Sequence, residues 1–244
     1  LNMATDREEG WPLPVISQVM HRLGEKRAKI YGTMDMTSGY HQAPIAAESR
    51  IFTAFITFMG VFQWTRVPMG LKSAGSYFQR VMATVVLAGL LYIICELYLD
   101  DILVYGKDEN DFVSNLRKVF VQLRRHKVTL GPAKCRFGFS TIEYVGHTIT
   151  PEGLTFSEKK REKVLEFPPP KTAKELLSFL GLVNYFRTHV SNLAKYEHPL
   201  RALIETGKYN RQQKIIWTPE TEEVFYQLRD VVGNCPQLHF YDPK

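Results

Sequence analysis

The chain predicts an α+β fold, in which an antiparallel sheet with helices is followed by a helical segment. Three observations predict it. Of the 244 residues, 45% are hydrophobic and 12% aromatic, enough to bury a core in one large domain or two ordinary ones. Between Lys29 and Leu130, short β-prone runs and amphipathic helices follow in the order β-α-β-β-α-β. Beyond Pro151 the periodicity turns helical behind a stiff FPPPKT linker.

Each element has its own signal. KIYGTMDM (29–36) reads as a strand closing at Asp35, where Thr37, Ser38 and Gly39 form a turn. An excursion follows with a hairpin, TAFITF and VFQWTRV about a Met59-Gly60 turn. Ser76 to Leu87 is helical, with Phe78, Val81, Met82, Val85 and Val86 in one apolar stripe. In YIICELYLDDILVYG (92–106), two strands flank Asp100-Asp101. Asn110 to His126 is a second helix with Phe112, Leu116, Val119, Phe120 and Leu123 inward, and Val128 to Leu130 is expected to be the fourth strand. This order is the split βαβ, or ferredoxin-like, arrangement, in which the first and second strands run parallel with the third antiparallel between them. Thr172 and Glu175 form a capping box for a helix running to about Arg187, with Leu176, Leu177, Phe179, Leu180 and Val183 inward. After Gly207, Thr218 as N-cap and Pro219 at the first helical position open a further helix.

Taken alone, Asp100-Asp101 reads as a hairpin turn. The topology gives it another meaning, because Asp35 and this turn end neighbouring strands on one edge of the sheet, about 4.8 Å apart per strand. Like charges at about 4 Å cost on the order of 4 kcal/mol at an effective dielectric near 20, so such carboxylates must be protonated or neutralised by cations. Hard divalent metals with oxygen ligands are the natural partner, and a pair of them suits in-line phosphoryl displacement. The net charge of +6 is concentrated: from Asn115 to Lys163 eleven Lys or Arg stand against four Glu, as a phosphate-binding surface needs, although a solvated basic face has the same composition. Cys95, Cys135 and Cys235 form no CxxC pair and suggest neither a disulfide framework nor a zinc site, which fits a reducing, cytoplasmic compartment. The apolar run Val85–Cys95 is too short to span a bilayer and no signal peptide is evident, so no membrane partner is expected. A start at Leu1 without Met suggests a fragment of a longer polypeptide.

Seven segments carry a resemblance over nearly the whole chain, and they come in one order. They are WPLPVI (11–16), MDMTSGYHQ (34–42), VPMGLKSAGSYFQ (67–79), YLDD (98–101), LGPAKCRF (130–137), IEYVGHTI (142–149) and PKTAKELLSFLGLVNYFR (170–187). The sequence resembles reverse transcriptases of gypsy-type LTR retrotransposons and, more distantly, retroviral ones. The resemblance implies a palm with part of the fingers over 1–150, the fingers insertion at about 43–73, a helical thumb over 151–206, and from 207 to 244 the start of a connection or RNase H-like region. It implies an RNA-directed DNA polymerase that uses two Mg²⁺, with Mn²⁺ as an alternative, together with dNTP and an RNA or DNA template carrying a primer. The rest of a Pol polyprotein, with upstream fingers and downstream RNase H and integrase, is the implied covalent context, and virus-like particles are an implied location.

Position by position, the resemblance makes Asp35 and Asp100 the metal-bridging carboxylates, the Met36 carbonyl a further ligand and Asp101 the auxiliary acid. Tyr40 takes the place of the aromatic under the incoming sugar, excluding a 2′-hydroxyl. The Ser38 and Gly39 amides meet the triphosphate, Met69 lies in the nucleotide floor, and Gly70 lets the chain pass close to the nucleotide. Lys134 falls where a lysine is proposed to protonate the leaving pyrophosphate, a role that a plain surface charge would also fit. Gly146 marks the hairpin that grips the primer end, and Lys159, Lys160, Arg161 and Lys163 contact the template-primer backbone. Two departures are visible: Met69 stands where the family usually has Phe, and Gly75 where it has Pro, which would soften the nucleotide floor and loosen the helix entry. The family's basic fingers residues fall upstream of Leu1. A catalytically silent, nucleic-acid-binding remnant is therefore the alternative reading.

Overall fold

The fold of the protein is seen in a computed structural model that describes residues 2, 11–156, 158–187, 189–204, 212–236 and 238–239. Leu1, Gly207 and Lys244, which figure in the sequence expectations, lie outside them. Two compact units are distinguished, one ending at Gly153 and one running Leu154–His239.

In chain order the first unit contains α1 (Ile16–Glu25), β1 (Ile30–Asp35), the single turn α2 (Gly39–Gln42), β2 (Phe55–Thr57), β3 (Gly60–Phe62), α3 (Ala74–Val81), β4 (Cys95–Tyr98), β5 (Asp101–Gly106), α4 (Glu109–Arg125), β6 (Arg136–Phe139), β7 (Ile142–Tyr144) and β8 (His147–Ile149). The main sheet has the order β4-β5-β1-β6 with antiparallel neighbours, so β1 and β4 run parallel with β5 between them, as the split βαβ order requires. Met34, Cys95, Leu97, Ile102 and Val104 of the sheet share one core with Phe78, Met82 and Val86 behind α3 and with Phe112, Val119 and Leu123 of α4. The alternating residues are buried as well: Tyr31, Leu103 and Tyr105. α1 is tied to β4 by Arg22, whose Nε and Nη2 each donate at 2.7 Å to the fully buried Glu96 carboxylate.

Several expectations are corrected. The fourth strand is β6, not Val128–Leu130; Leu130 makes only an isolated bridge with Met36, because the tight turn Pro132–Lys134 intervenes before the chain can pair along β1. The hairpin closes through Phe58-Met59, and Gly60 already pairs with Thr57. The helix expected from Ser76 starts at Ala74 and widens into a π turn over Met82–Val86, leaving Val85 half exposed. Phe120 of α4 points outward rather than into the core, because Phe112, Asn115, Val119 and Leu123 fill the inward face.

α4 crosses the end of β5 so closely that a Cβ on Gly106 would fall on the backbone N and Cα of Phe112. Backbone atoms cannot rotate away. Gly106→Ala is therefore expected to destabilise the protein by about 1–3 kcal/mol, read as a lowered urea midpoint with an unchanged m-value.

The second unit follows β9 (Gly153–Phe156) with α5 (Glu158–Leu165), α6 (Ala173–Asn184), α7 (Leu193–Ala202) and α8 (Pro219–Gly233). Val164, Leu176, Phe179, Leu180, Val183, Leu200, Phe225, Leu228 and Val232 share one core, so the helix after Trp217 packs with the three before it. The Thr172 hydroxyl caps α6 by accepting from the Glu175 N–H, but the Glu175 carboxylate accepts from Lys171 at 2.7 Å rather than from Thr172, so the expected box is half closed. Leu177 is only partly buried and stands outside that core. Thr218 and Pro219 open α8 as expected, with a reciprocal box to Thr221.

Burial, with the charge of Arg161, pulls the His189 imidazole down to about 4 against the opposing hydrogen bond of the Leu154 backbone. An unfolded histidine takes up its proton near pH 6.5, so between about 6.5 and 4 the unfolded state binds more protons. Stability is then whole above that window and is lost as pH falls through it. The urea midpoint is expected to drop over this range and to drop less in His189→Gln.

Candidate active site

Three backbone segments meet at the C-terminal end of β1. Asp35 pairs directly with Asp101, and Asp100 sits one residue beyond, in the two-residue turn Leu99-Asp100 that joins β4 to β5. The Met36 N–H donates to the Asp100 carbonyl at 3.3 Å, while on the other side the Gly131 N–H donates to the Asp35 carbonyl at 2.9 Å and the Thr37 N–H to the Thr129 carbonyl at 3.1 Å. The strand end that carries the first acid is thus held between the hairpin of the other two and the segment leading to Lys134.

Two uncharged side chains fix this arrangement, and neither stood out in the sequence as a site residue. Gln79 of α3 is wholly buried; its Oε1 accepts from the Leu99 N–H at 2.7 Å and its Nε2 donates to the Leu97 carbonyl at 3.3 Å. Leu99 has φ 55°, a left-handed conformation that a branched residue adopts at a cost of about 1–2 kcal/mol, and the Gln79 bonds offset it. Gln42 donates to the Thr37 and Thr129 carbonyls at 2.7 and 2.8 Å and accepts from the Thr129 N–H at 2.7 Å. One signal for Gln79 was legible, a polar residue on the buried stripe between Phe78 and Met82. Gln42, in a polar turn, had none.

The turn after β1 needs its glycine. A Cβ on Gly39 would stand 3.2 Å from the Asp100 Cβ and 3.3 Å from the Phe78 ring, so Gly39 lets the turn lie against the acid hairpin, while Ser38 beside it is exposed with φ 49°. Tyr40 sets its ring edge-on to Phe78 at 5.3 Å, and burial, then the Asp100 charge, raises its hydroxyl above the usual phenol range. The Tyr40 hydroxyl lies 3.7 Å from where a Cβ on Gly75 would be. Met69 is exposed, and Gly70 has φ 93° with no atom near its absent Cβ, so within the chain Gly70 supplies a backbone conformation rather than a close approach.

Burial, then the charges of Asp100 and Asp35, push the Asp101 carboxyl up to about 6, against the pull of Lys134. The Lys134 ammonium stands 3.2 Å from Asp35 Oδ1. Among the described residues no three His, Cys, Asp or Glu side chains group closely enough to hold an ion by themselves. The convergence expected of three carboxylates is met by the strand ends and not by a closed cage. An open set of hard oxygen donors still fits Mg²⁺, which is held through one or two carboxylates together with water and substrate phosphates.

The remaining sequence candidates lie elsewhere. Val145 and Gly146, both with positive φ, form the two-residue tip of the β7–β8 hairpin, and the Tyr144 hydroxyl at its base donates to the Asp101 carbonyl at 3.4 Å. On α5, Lys159 and Lys163 are exposed, and the Lys160 ammonium stands 3.5 Å above the Tyr185 ring. Arg161 turns inward, donating from Nη2 to Thr155 Oγ1 at 2.8 Å and to the Cys235 carbonyl at 3.1 Å.

Comparison with known proteins gives the chain its relatives. The profile of the family described as reverse transcriptase (RNA-dependent DNA polymerase) matches residues 11–149. The chain is 32% identical over 232 residues to the retrovirus-related Pol polyprotein from transposon 412 of Drosophila melanogaster, covering 95% of this chain and 18% of that protein. It is 35% identical over 236 residues to the corresponding polyprotein from transposon opus of the same organism, covering 94% and 23%. Among solved structures, a foamy viral protease-reverse transcriptase in complex with double-stranded DNA superposes with a TM-score of 0.84 at 25% identity, over 99% of this chain and 41% of that one. The foamy viral enzyme in complex with an RNA/DNA hybrid gives 0.78 at 26% identity, over 91% and 30%. The chain therefore spans about a fifth of the curated relatives it matches. With the profile covering residues 11–149, more than half of the chain, and relatives above 30% identity along nearly its whole length, the chain belongs to the reverse transcriptase family.

Proposed function

We propose that this chain is the polymerase core of a retroelement Pol polyprotein, an RNA-directed DNA polymerase that extends a primer on an RNA or DNA template with dNTP. The observation that carries the reading is the register of Asp35 opposite Asp101 with Asp100 in the adjoining turn, held by the buried amide of Gln79. The primer 3′-hydroxyl attacks the α-phosphorus of the dNTP, the bond to the β-phosphate oxygen breaks, and pyrophosphate leaves. Asp35 and Asp100, with the Met36 carbonyl, would hold two Mg²⁺ or Mn²⁺ ions, which when bound neutralise phosphate charge and lower the pKa of the attacking hydroxyl. Asp101, whose charged form is disfavoured by burial, suits the auxiliary place. Lys134 balances the charge of Asp35 and would supply the proton to the leaving pyrophosphate. Ser38, Gly39, Tyr40, Met69 and Gly70 form the nucleotide pocket, and catalysis is by positioning and charge neutralisation.

The palm with part of the fingers is assigned to 1–150, the thumb to 151–206 and the entry to a following region to 207–244, with the upstream fingers, RNase H and integrase supplied by the longer polyprotein. Among the described residues no helix is long and apolar enough to cross a membrane. The silent-remnant reading draws support from Met69 and Gly75, but decay has no reason to spare all three acids. The deciding test is Mg²⁺-dependent primer extension by this chain, alone and within a longer Pol polypeptide. Absence of extension in both, with duplex binding retained, would select the remnant.

On the template-primer side, Gly146 belongs to the primer-gripping tip and Lys159, Lys160 and Lys163 of α5 to the backbone, while Arg161, expected with them, is engaged inside the unit. Lys159→Ala with Lys163→Ala is expected to lower the slope of log K against log salt by about 0.9 for each phosphate of a B-like duplex that is no longer neutralised. Arg161→Ala should leave the slope nearly unchanged and lower stability instead, because its guanidinium is engaged inside the unit.

A further inference from the structure

The outward face of α4 is unlike an ordinary solvated helix surface. Val113, Leu116, Phe120 and Val121, with Arg117 and Arg124, line a groove of about 430 Å³ along it. Val113 and Val121 are more than half exposed, at 52% and 59%. Residues 113, 117, 120, 121 and 124 follow helical spacing, so they form one continuous stripe. The apolar surface continues onto β6, the edge strand of the sheet, where the Phe137 ring meets Phe120 at 5.8 Å and Phe139 is 47% exposed.

Beyond Glu109, one turn before Val113, the charge along this groove is positive. From Phe112 to Ile142 there is no Asp or Glu, while seven Lys or Arg occur. Neither Arg117 nor Arg124 makes an ion pair among the described residues. An apolar trough between unpaired guanidinium groups complements a segment with apolar anchors on one side and carboxylates beside them. Nucleic acid fits less well. The groove floor is aliphatic, and the Phe120 and Phe137 rings meet edge to face at 70° rather than offering parallel faces for stacking. Strand addition at β6 also fits less well, because Gly138 at φ 78° and the register shift opposite Tyr31/Gly32 break the regularity of that edge.

We propose that the α4 face is a docking surface for an acidic amphipathic helix, its apolar residues seated among Val113, Phe120 and Val121 and its carboxylates on Arg117 and Arg124. This is the helix-in-groove mode of recognition. It involves none of the residues assigned to polymerisation, so it stands or falls separately from that reading.

The test uses the whole chain and a fluorescent synthetic helix of about four turns, with Leu at i, i+3, i+4 and i+7 and Glu elsewhere. Anisotropy should show binding with a Kd on the order of 10–100 µM. Val121→Glu and Arg117→Glu, each at an exposed position, should weaken it at least about tenfold, with far-UV circular dichroism unchanged. A version with Lys in place of Glu should not bind. Three results would overturn the proposal: no binding of the acidic helix, equal binding of the Lys version, or affinity indifferent to both substitutions. Displacement of the helix by a short DNA duplex, with duplex affinity itself lost in Val121→Glu, would overturn it in favour of a nucleic-acid surface.

Discussion

Asp100→Asn is expected to lower Mg²⁺-dependent primer extension by at least about a hundredfold while leaving the melting temperature within a degree or so. The substitution keeps the shape of the side chain and removes only its charge. The turn is held by backbone and amide bonds, Met36 N–H to the Asp100 carbonyl and Gln79 to Leu97 and Leu99, none of which involves the Asp100 carboxylate. Loss of activity without loss of fold is thus the signature of a group needed for its charge. Asp101→Asn should be milder, because burial already disfavours its ionised form. Retention of more than a few per cent activity in Asp100→Asn would remove that residue from the site.

Tyr40→Ala is expected to raise the ratio of rNTP to dNTP incorporation at least tenfold, equivalent to about 1.4 kcal/mol between competing barriers. The ring is placed by the Gly39 turn and by its edge-on packing against Phe78, so its removal empties one volume without disturbing the acids. Discrimination here would rest on a clash with the 2′-hydroxyl, which truncation relieves. Use of dNTP should weaken at the same time, since the sugar loses a packing surface. Gly75→Ala gives a control: its methyl would rest 3.7 Å from the Tyr40 hydroxyl, an ordinary van der Waals distance, and the ratio should stay as it is. If both substrates slow together in Tyr40→Ala, the tyrosine is a core residue and the nucleotide pocket has been misplaced.

Much of the sheet and of the acid edge was legible because it rests on strong local signals. The runs ending at Asp35 and flanking Asp100-Asp101 are β-prone and bounded by turn residues, and right-handed connection rules then force them side by side. β6 was not legible, because Arg136–Phe139 is exposed throughout, contains Gly138 and shows no alternation of burial. Phe120 was misassigned for a related reason: a wide apolar stripe on α4 counts more residues than the core can take, and the surplus faces outward. The ion pair of Lys134 with Asp35 depends on how the chain turns at Gly131 and Pro132, across 99 residues of separation, and no local pattern encodes that.

The amides of Gln42 and Gln79 also bear on how a gene for this chain can drift. A single base change in a glutamine codon gives Glu, Lys, Arg, His, Leu, Pro or a stop, and none of these offers an N–H donor and a carbonyl acceptor side by side on a planar group. Glu at 79 would add a carboxylate next to a turn that already crowds two, and would lose the donor to Leu97. Leu would leave the Leu99 N–H and the Leu97 carbonyl without their partner in a dry interior. At these two codons every amino-acid change reachable in one step is a loss, so an error-prone copying cycle would purge such variants almost as it purges variants at the acids.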